Sequence, residues 1–584
     1  MLRKVMTVVT CVAGLFCVQP VWAQPTTEEA LDNLESIAEL GKSLKNQLGE
    51  RANLLSSGAQ NIVSFGDRWG TLKPMLKRAI ERRKFSTNNN ELEIQEKALA
   101  PKSGSDPLAK SDFFTRLGGC TQSETTVAWC GNNAAIGFND SGSVAATLLP
   151  FIDTSLPPSP SKSGSLSFNG WSISTNAGVS FKDKGVLVAD PLPASGNVKF
   201  RNLLGDPVIR CTSETKFYYA NLAVDTIEVK ASKALQKIKS GISVSKSTDG
   251  GNTWGGAVMA VSKDQGTDTN PMHFLDKEWM AVVPSAKDTI YITYTDFDFT
   301  VASGRTAIEF VKSTDGGVTW SPTPVVIDAV TGSDKSLQGS QVAVGPTGEI
   351  YVAWESYVNT QSGIALTIKI SKSTNGGTSF SPPKNVTGLT EAGNGERFQG
   401  LFRDGPDLQG LVVDTTSKPT KGNVYISFHG GGKNSQNDVL GADGKYHFTD
   451  VFFCKSENGG NTWSKPVLVN ALTKTKVDHF FPAMAQDKTG NICILYYGRN
   501  DSRNFLIDVF VASSSDAGKT WKNTKVSNKS FAPVTGWNDV FVNDSYMGDY
   551  LGIAADTSKT NDGCISAWGD NIRGDANILT TKTQ

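Results

Sequence analysis

The chain of 584 residues is predicted to be an all-β protein, a β-propeller with seven blades favoured and six as the alternative, preceded by a helical N-terminal extension. Two observations predict this fold. One stretch, Ser-x-Asp/Asn-x-Gly-x-Thr/Ser-Trp/Phe, occurs six times, and pairs of short apolar segments with strand-like alternation recur along the chain. A repeat of about 65 residues built from short strands is typical of propeller blades.

The repeated stretch has the chemistry of a tight turn. Asp or Asn followed by Gly supplies the positive φ angles that a hairpin needs. The Asp or Asn side chain can accept hydrogen bonds from nearby backbone N–H groups, and the final Trp or Phe can pack beside the turn. We therefore expect a structural role for the stretch and not a catalytic one. Its copies occupy residues 174–181, 247–254, 313–320, 373–380, 456–463 and 514–521.

Seven pairs of strands are predicted between residue 120 and the C-terminus. In most units a third strand follows and ends in the repeated stretch. The last unit lacks the stretch and ends after one more strand, 577–582, so an N-terminal strand could complete its sheet and close the ring. If the first or last unit were only a closing strand, the ring would have six blades. The predicted first and second strands are 125–130 with 135–139, 206–211 with 217–220, 278–283 with 290–295, 340–344 with 350–355, 409–413 with 424–428, 481–486 with 492–497, and 550–555 with 564–568.

Residues 1–23 read as a signal peptide, which predicts a secreted or periplasmic protein. Arg3 and Lys4 precede the apolar run 5–18, and Ala23 precedes the predicted cleavage point. The run is too short for a comfortable membrane span, so no transmembrane segment is expected after cleavage. Lipid anchoring at Cys17 is less favoured, because the bulky Phe16 precedes it.

Residues 24–85 are predicted to form a helical extension, followed by a linker over 86–115 and the propeller over 116–584. Thr26 and Glu29 form a capping box, and apolar residues follow at helical spacing. A second helix is predicted over 72–84, with many Lys and Arg side chains. Its basic face is usually a solvated one, but it could contact an anionic polymer, and the helices could dock a protein partner.

Charge and cysteine content exclude some functions. Lys and Arg together number 57, as do Asp and Glu, so nothing favours nucleic-acid binding. Four histidines and no Cys-x-x-Cys spacing give no support to a zinc site. Six cysteines remain after cleavage of the leader, an even number that permits disulfides in an exported chain. Cys120 with Cys130 is the local pair that the spacing favours.

One face of the predicted propeller is rich in carboxylates. The starts of first strands and the ends of second strands meet on the face opposite the repeated turns. The first-strand starts there include Asp206, Asp276, Glu278 and Tyr550, and Arg499 and Arg573 follow second strands. Carboxylates with Arg and aromatic groups suit glycoside hydrolysis. Such carboxylates could equally hold Ca²⁺, although no cofactor is expected to be required.

The six repeated stretches resemble the Asp box, or BNR repeat, of the sialidase superfamily, and the region from about 120 is similar to secreted bacterial sialidase-like proteins. The resemblance implies an Asp acid/base, for which Asp206 or Asp276 is the candidate, and a Tyr nucleophile, for which Tyr550 is. It also implies Arg side chains that hold the substrate carboxylate, here Arg499 and Arg573. The Arg-Ile-Pro motif of sialidases is missing, and the nearest stretch is Phe-Phe-Pro-Ala at 480–483.

Two functions follow as expectations. The first is an exported, exo-sialidase-type glycoside hydrolase that acts on terminal acidic sugars of glycans. The second is a non-catalytic secreted propeller that binds a glycan, a protein or a surface polymer. The missing motif favours the second, and the carboxylate-rich face favours the first.

Overall fold

The structure is a computed structural model that describes residues 27–48, 55–84, 121–152, 158–193, 198–227, 237–264, 273–360, 363–390, 408–430, 449–470, 477–499, 506–533, 539, 541–542, 547–571 and 577–583. The predicted signal peptide, the predicted linker, Cys120 and Arg573 lie outside these residues. No helix within them is long and apolar enough to cross a membrane.

Three helices and seven antiparallel sheets make up the described chain. The helices are α1 (Thr27–Leu48), α2 (Ser57–Lys84) and α3 (Ser141–Ile152). The sheets are numbered as blades in chain order. Blade 1 holds β1 (Gln122–Cys130), β2 (Asn133–Asp140), β3 (Asn169–Ser174) and β4 (Lys182–Val186); blade 2 holds β5 (Val198–Leu203), β6 (Val208–Cys211), β7 (Phe217–Ile227), β8 (Lys237–Ser247) and β9 (Val258–Asp264). Blade 3 holds β10 (His273–Val283), β11 (Thr289–Asp298), β12 (Arg305–Ser313) and β13 (Val325–Thr331); blade 4 holds β14 (Lys335–Val344), β15 (Ile350–Thr360), β16 (Gly363–Ser373) and β17 (Lys384–Thr390). Blade 5 holds β18 (Leu408–Val413), β19 (Val424–Gly430), β20 (Asp450–Ser456) and β21 (Val467–Leu468); blade 6 holds β22 (His479–Gln486), β23 (Ile492–Arg499), β24 (Ile507–Ser514) and β25 (Lys522–Lys525); blade 7 holds β26 (Gly552–Ala555), β27 (Cys564–Asp570) and β28 (Asn577–Thr583).

The blades close into a seven-membered ring, which confirms the favoured blade number. Each inner strand contacts the inner strand of the next blade, in the order β1, β6, β10, β14, β18, β22 and β26, and β26 contacts β1. Blade 7 has three strands, and no N-terminal strand joins it within the described chain. The ring is therefore closed by packing between blades 7 and 1 and not by a shared sheet.

Two disulfides join neighbouring blades. Cys130 at the end of β1 is bonded to Cys211 at the end of β6, and Cys493 of β23 is bonded to Cys564 of β27. The predicted Cys120–Cys130 pair is therefore wrong, because the packing of blade 1 on blade 2 brings Cys130 beside Cys211, which is distant in sequence. Cys454 is buried and free. Disulfides of this kind are typical of extracellular or periplasmic proteins.

The six repeated stretches are turns with one hydrogen-bond network. In the third copy, Asp315 accepts hydrogen bonds from the Ser313 hydroxyl at 2.8 Å and the Thr319 backbone N–H at 2.9 Å, and Ser313 Oγ accepts the Gly317 N–H at 2.9 Å. The hydrogen bonds from Thr319 lower the pKa of Asp315 to about 2. The other five copies repeat the Ser–Asp/Asn and Ser–Gly bonds.

The aromatic residue that ends a turn can pack on the preceding blade. Phe380 of blade 4 lies 5.1 Å from Phe310 of blade 3, and Trp521 of blade 6 lies 5.3 Å from Phe453 of blade 5, measured between ring centroids. The turns therefore act as wedges between blades, which agrees with their predicted structural role.

Three features were not predicted from sequence. Helix α2 begins fifteen residues earlier than the predicted 72–84 helix, at Ser57. Helix α3 is inserted in blade 1 between β2 and β3. Blade 2 has an extra strand, because β5 and β6 pair with the two halves of β7 and together form one interrupted inner strand.

Helices α1 and α2 form a hairpin that packs on the propeller face opposite the repeated turns. Leu34 and Ile37 of α1 and Phe65 of α2 face Leu166 and Leu204 of the propeller. Removal of such side chains from water is the main favourable term for this packing. We call this element the α1–α2 hairpin.

The turn geometry predicts a difference between two glycine substitutions. Gly251 (φ 85°) and Gly377 (φ 79°) hold equivalent left-handed positions in their turns. A Cβ at Gly377 would clash with the Phe310 ring at 2.4 Å, whereas one at Gly251 would lie at an ordinary contact distance of 3.4 Å from its nearest neighbour. Both Gly→Ala variants should lose about 1–2 kcal/mol from backbone strain. Gly377→Ala should lose a further ~1–3 kcal/mol from overpacking. Urea unfolding would measure both, and equal losses would contradict the wedge.

Candidate functional site

The inner strands carry bulges where they enter the face opposite the turns. The pairing register shifts in β1, β10, β14, β18 and β22. Glu124, Lys277 and Phe481 in three of these bulges have positive φ, at 52°, 49° and 52°. Asp206, in the interruption between β5 and β6, has φ 56°. A non-glycine residue in this region costs about 1–3 kcal/mol, and such strain is often found at functional sites. Bulges also redirect side chains, here around the propeller axis.

Three of the predicted catalytic residues form one buried group. Asp206 lies in blade 2, and Asp276 and Glu278 flank the bulge of β10 in blade 3; all three are 0% exposed. The charge of Asp206 raises the pKa of Asp276 and of Glu278, and the charge of Asp276 also raises that of Glu278. We call these three carboxyl groups the acid cluster. Burial next to like charge makes it costly for all three to be ionised together.

Glu278 is the least solvated member of the acid cluster. Neither of its carboxyl oxygens has a hydrogen-bond partner. Burial, followed by the charge of Asp206, raises the pKa of Glu278 well above its usual range. Both effects favour the protonated form of this carboxyl group.

Asp276 is held by the N-terminal end of α2. Ser56, which caps α2, donates its backbone N–H to Oδ2 at 2.8 Å and its hydroxyl to Oδ1 at 2.5 Å. Gln338 of β14 donates its Nε2 to Oδ2 at 2.8 Å. Burial and then the charge of Asp206 raise the pKa of Asp276 to about 7 in spite of these bonds. Asp276 therefore titrates near neutral pH.

Asp206 connects the acid cluster to blades 1 and 7. Its backbone N–H donates to Asn139 Oδ1 at 2.9 Å, and Asn139 donates its Nδ2 to Glu124 Oε2 at 2.6 Å. Glu124 also accepts the Asp549 backbone N–H at 3.0 Å. Burial raises the pKa of Asp206, whereas the charge of Lys277 and a hydrogen bond with Ser56 lower it. Carboxyl groups from blades 1, 2, 3 and 7 thus meet around the axis.

Lys277 and Tyr550 lie beside the acid cluster. The Lys277 ammonium stands 3.5 Å from the centroid of the Tyr550 ring and has no hydrogen-bond partner, although it is buried. The Tyr550 hydroxyl donates to the Pro207 carbonyl at 3.3 Å, and its ring meets Trp279 edge-on at 6.4 Å. Tyr550 therefore crosses from blade 7 to blades 2 and 3. Beyond Trp279 a channel of about 330 Å³ runs along the inner strands.

The structure unites four of the six predicted site residues. Asp206, Asp276, Glu278 and Tyr550 come together, but the contacts that unite them do not include Arg499. Arg499 ends β23 in blade 6, where its fully buried guanidinium pairs with Asp478 at 3.4 Å. Arg573 lies outside the described residues. Neither Arg is thus shown to hold a substrate.

Sequence reasoning missed three participants: Ser56, Gln338 and Glu124. Ser56 could have been recognised as a helix cap, since a Ser before an amphipathic segment is a strong start signal. Its contact with a residue 220 positions away could not have been read from that signal. Gln338 and Glu124 carry no motif, and only the ring brings them to the axis.

A second acidic group lies in blade 3, at the start of β10 and the end of β11. His273, Asp296 and Asp298 are close enough to hold a metal ion. Lys263 already contacts Asp296 at 2.7 Å, and Arg305 contacts Asp298 at 3.6 Å. Because the protein's own cations neutralise these carboxylates, Ca²⁺ binding gains only weak support here.

No protein-family model and no curated protein matches the chain. Solved structures match it in fold. An ulvan lyase of polysaccharide lyase family PL25 shares 10% identity over 80% of this chain and 94% of its own, with a TM-score of 0.41. The GH93 α-L-arabinofuranosidase of Fusarium graminearum shares 13% over 68% and 96%, with a TM-score of 0.36. The sialidase of Trypanosoma rangeli shares 12% over 64% and 54%, with a TM-score of 0.32. These proteins act on glycans by name, and at such scores the likeness concerns the fold alone.

The raised pKa of Asp276 predicts a pH-dependent stability. The folded protein binds a proton more tightly at Asp276 than the unfolded chain does, whose pKa is near 3.8. This contribution is fully present below pH 3.8 and is lost as the pH rises through about 7. The melting temperature of the parent should therefore fall between pH 5 and pH 8 relative to that of Asp276→Asn. A constant difference between the two proteins over this range would show that Asp276 ionises normally.

Proposed function

We propose that the protein is an exported glycoside hydrolase whose active centre is the acid cluster. One observation carries this proposal: Glu278, a buried carboxyl without a hydrogen-bond partner and with a raised pKa, lies beside two further carboxyls at the propeller axis. Glycoside hydrolysis needs one protonated carboxylic acid and one carboxylate on either side of the scissile bond.

The environments of the three carboxyls suggest separate roles. Glu278 is the general acid that protonates the leaving oxygen, because burial and the charge of Asp206 favour its protonated form. Asp206 serves as the carboxylate partner: burial raises its pKa, but the charge of Lys277 and a hydrogen bond with Ser56 oppose that shift and favour the ionised form. Asp276, with three hydrogen-bond donors on its oxygens, orients the sugar.

Acidic sugars are the substrate class that the site supports first. Lys277 is a buried ammonium without a hydrogen-bond partner, and an anionic group on the substrate would supply one. The six turns, which resemble Asp boxes, and Tyr550 beside the acid cluster are consistent with exo-sialidase-type chemistry with Tyr550 as nucleophile. Arg499 is committed to Asp478, so the substrate anion would be held by Lys277 and not by an Arg499-based cluster.

A second candidate function is binding without turnover. It is favoured by one observation: Ser56 already fills the position beside Asp276, and every carboxyl of the acid cluster is fully buried. In that case the glycan or protein ligand would bind elsewhere on the propeller. Catalytic assays of the matched variants below distinguish the two functions.

Glu278→Gln is the decisive variant. Turnover by residues 24–584 would be measured on fluorogenic glycosides, including sialosides and uronosides, with and without Ca²⁺. Loss of a general acid should lower kcat by about 10²–10⁴-fold. The melting temperature at pH 7 should change little, since Gln has the shape of the carboxyl and, like its protonated form, no charge.

The control is Glu214→Gln on the opposite face, where Glu214 accepts the Asn132 N–H at 2.9 Å. It should keep parental kcat. Turnover that survives Glu278→Gln would remove Glu278 from the mechanism. Absence of turnover on every glycoside, by the parent and by the undocked variant described below, would favour the binding function.

A further inference from the structure

The α1–α2 hairpin covers the candidate site through polar as well as apolar contacts. The side-chain amides of Asn33 in α1 and Asn202 in β5 donate to each other, both at 3.0 Å, and both residues are fully buried. At the edge of the hairpin Glu29 pairs with Lys199 at 3.2 Å. Reciprocal amide bonds of this kind fix one docking position, because a shifted hairpin would leave buried amides unpaired.

Ser56 occupies the acid cluster in the way that a ligand would. One hydroxyl and one N–H approach a single carboxylate, and Gln338 supplies the remaining donor. Carboxylate and amide side chains recognise sugar hydroxyl groups by the same bonds. The N-terminal end of α2 adds a partial positive charge next to the carboxylate.

The apolar contact between the hairpin and the propeller leaves a gap. An apolar cavity of about 50 Å³ remains between them, lined by Leu34, Ile37 and Phe65 on one side and by Phe168 and Phe541 on the other. Incomplete packing forfeits contact energy along the cavity wall.

We propose that Asp276 and Gln338 form a subsite for a sugar hydroxyl group, and that Ser56 occupies this subsite in cis, so that the α1–α2 hairpin is an inhibitory cap. The inference rests on the proposed function and specifies what binds at Asp276. When the cap leaves, substrate can reach Glu278 and Lys277, whose buried polar atoms have no hydrogen-bond partner.

Two matched changes to the full chain test the cap. Ser56→Asp would place a second carboxylate against Asp276 and expel the hairpin. The matched change is Ser36→Asp in α1, where the Ser36 hydroxyl donates to the Asp32 carbonyl of the same helix at 2.9 Å, and it would not expel the hairpin. A double variant, Glu29→Cys with Lys199→Cys, has the opposite purpose. A short bis-maleimide that links the two cysteines would hold the hairpin on the propeller. Each single-cysteine variant treated with the same reagent is the control for the linker.

Two readouts separate the cap from the function. Turnover should rise about tenfold or more in Ser56→Asp, since an uncompensated buried charge disfavours docking strongly, and should be lost in the linked protein. Modification of Asp276 by a water-soluble carbodiimide and an amine, read by mass spectrometry, should appear in Ser56→Asp and be absent in the parent, in Ser36→Asp and in the linked protein.

The outcomes are distinct. Modification of Asp276 in Ser56→Asp without any turnover would uphold the cap and overturn the proposed hydrolase. Equal turnover by the linked and unlinked proteins would uphold the hydrolase and overturn the cap. Failure of Asp276 to become modified in Ser56→Asp would overturn the cap irrespective of turnover.

Discussion

Packing of each inner strand against the inner strand of the next blade is the constraint on which the structure depends. A single blade has one inner edge and two faces that it cannot bury alone, so each blade depends on both neighbours. The aromatic residues of the turns add contacts between neighbouring blades, as Phe380 does on Phe310, and the two disulfides link neighbouring blades covalently. Blade 7 lacks a fourth strand, yet β26 still contacts β1 and completes the ring.

The same ring creates the acid cluster. Inner strands that converge on one axis bring their first residues together, and the bulges at Glu124 and Lys277 turn side chains towards that axis. Carboxyls gathered in this way lower the stability of the fold, because buried charge is costly and positive φ adds strain. Apolar residues in these positions would avoid both costs, so Asp206, Asp276 and Glu278 are not explained by the stability of the fold.

Much of this architecture could be predicted from the sequence, and the reasons are local. The Ser-x-Asp/Asn-x-Gly stretches specify a turn by their own hydrogen bonds, and strand alternation locates the inner strands, so the face that carries Asp206, Asp276, Glu278 and Tyr550 followed from topology. The rest depends on distant contacts. Cys130 pairs with Cys211 because blades 1 and 2 are neighbours, and Ser56 meets Asp276 because a helix cap and a bulge happen to fit. Arg499 was placed correctly at a strand end, but the sequence did not reveal that its guanidinium would form a buried ion pair with Asp478.

The position of Ser56 bears on whether this propeller is an enzyme or a binding protein. Buried polar groups in proteins are usually hydrogen-bonded, so a group without a partner needs an explanation. In the acid cluster, Asp276 accepts three hydrogen bonds, whereas the Glu278 carboxyl and the Lys277 ammonium beside it have no hydrogen-bond partner. Ser56, at the start of helix α2, thus occupies the part of the site that would bind a sugar hydroxyl group. It leaves the proposed acid and the cation without hydrogen-bond partners. That division is what a displaceable cap on a catalytic centre would produce, because groups reserved for the substrate need not be satisfied by the cap.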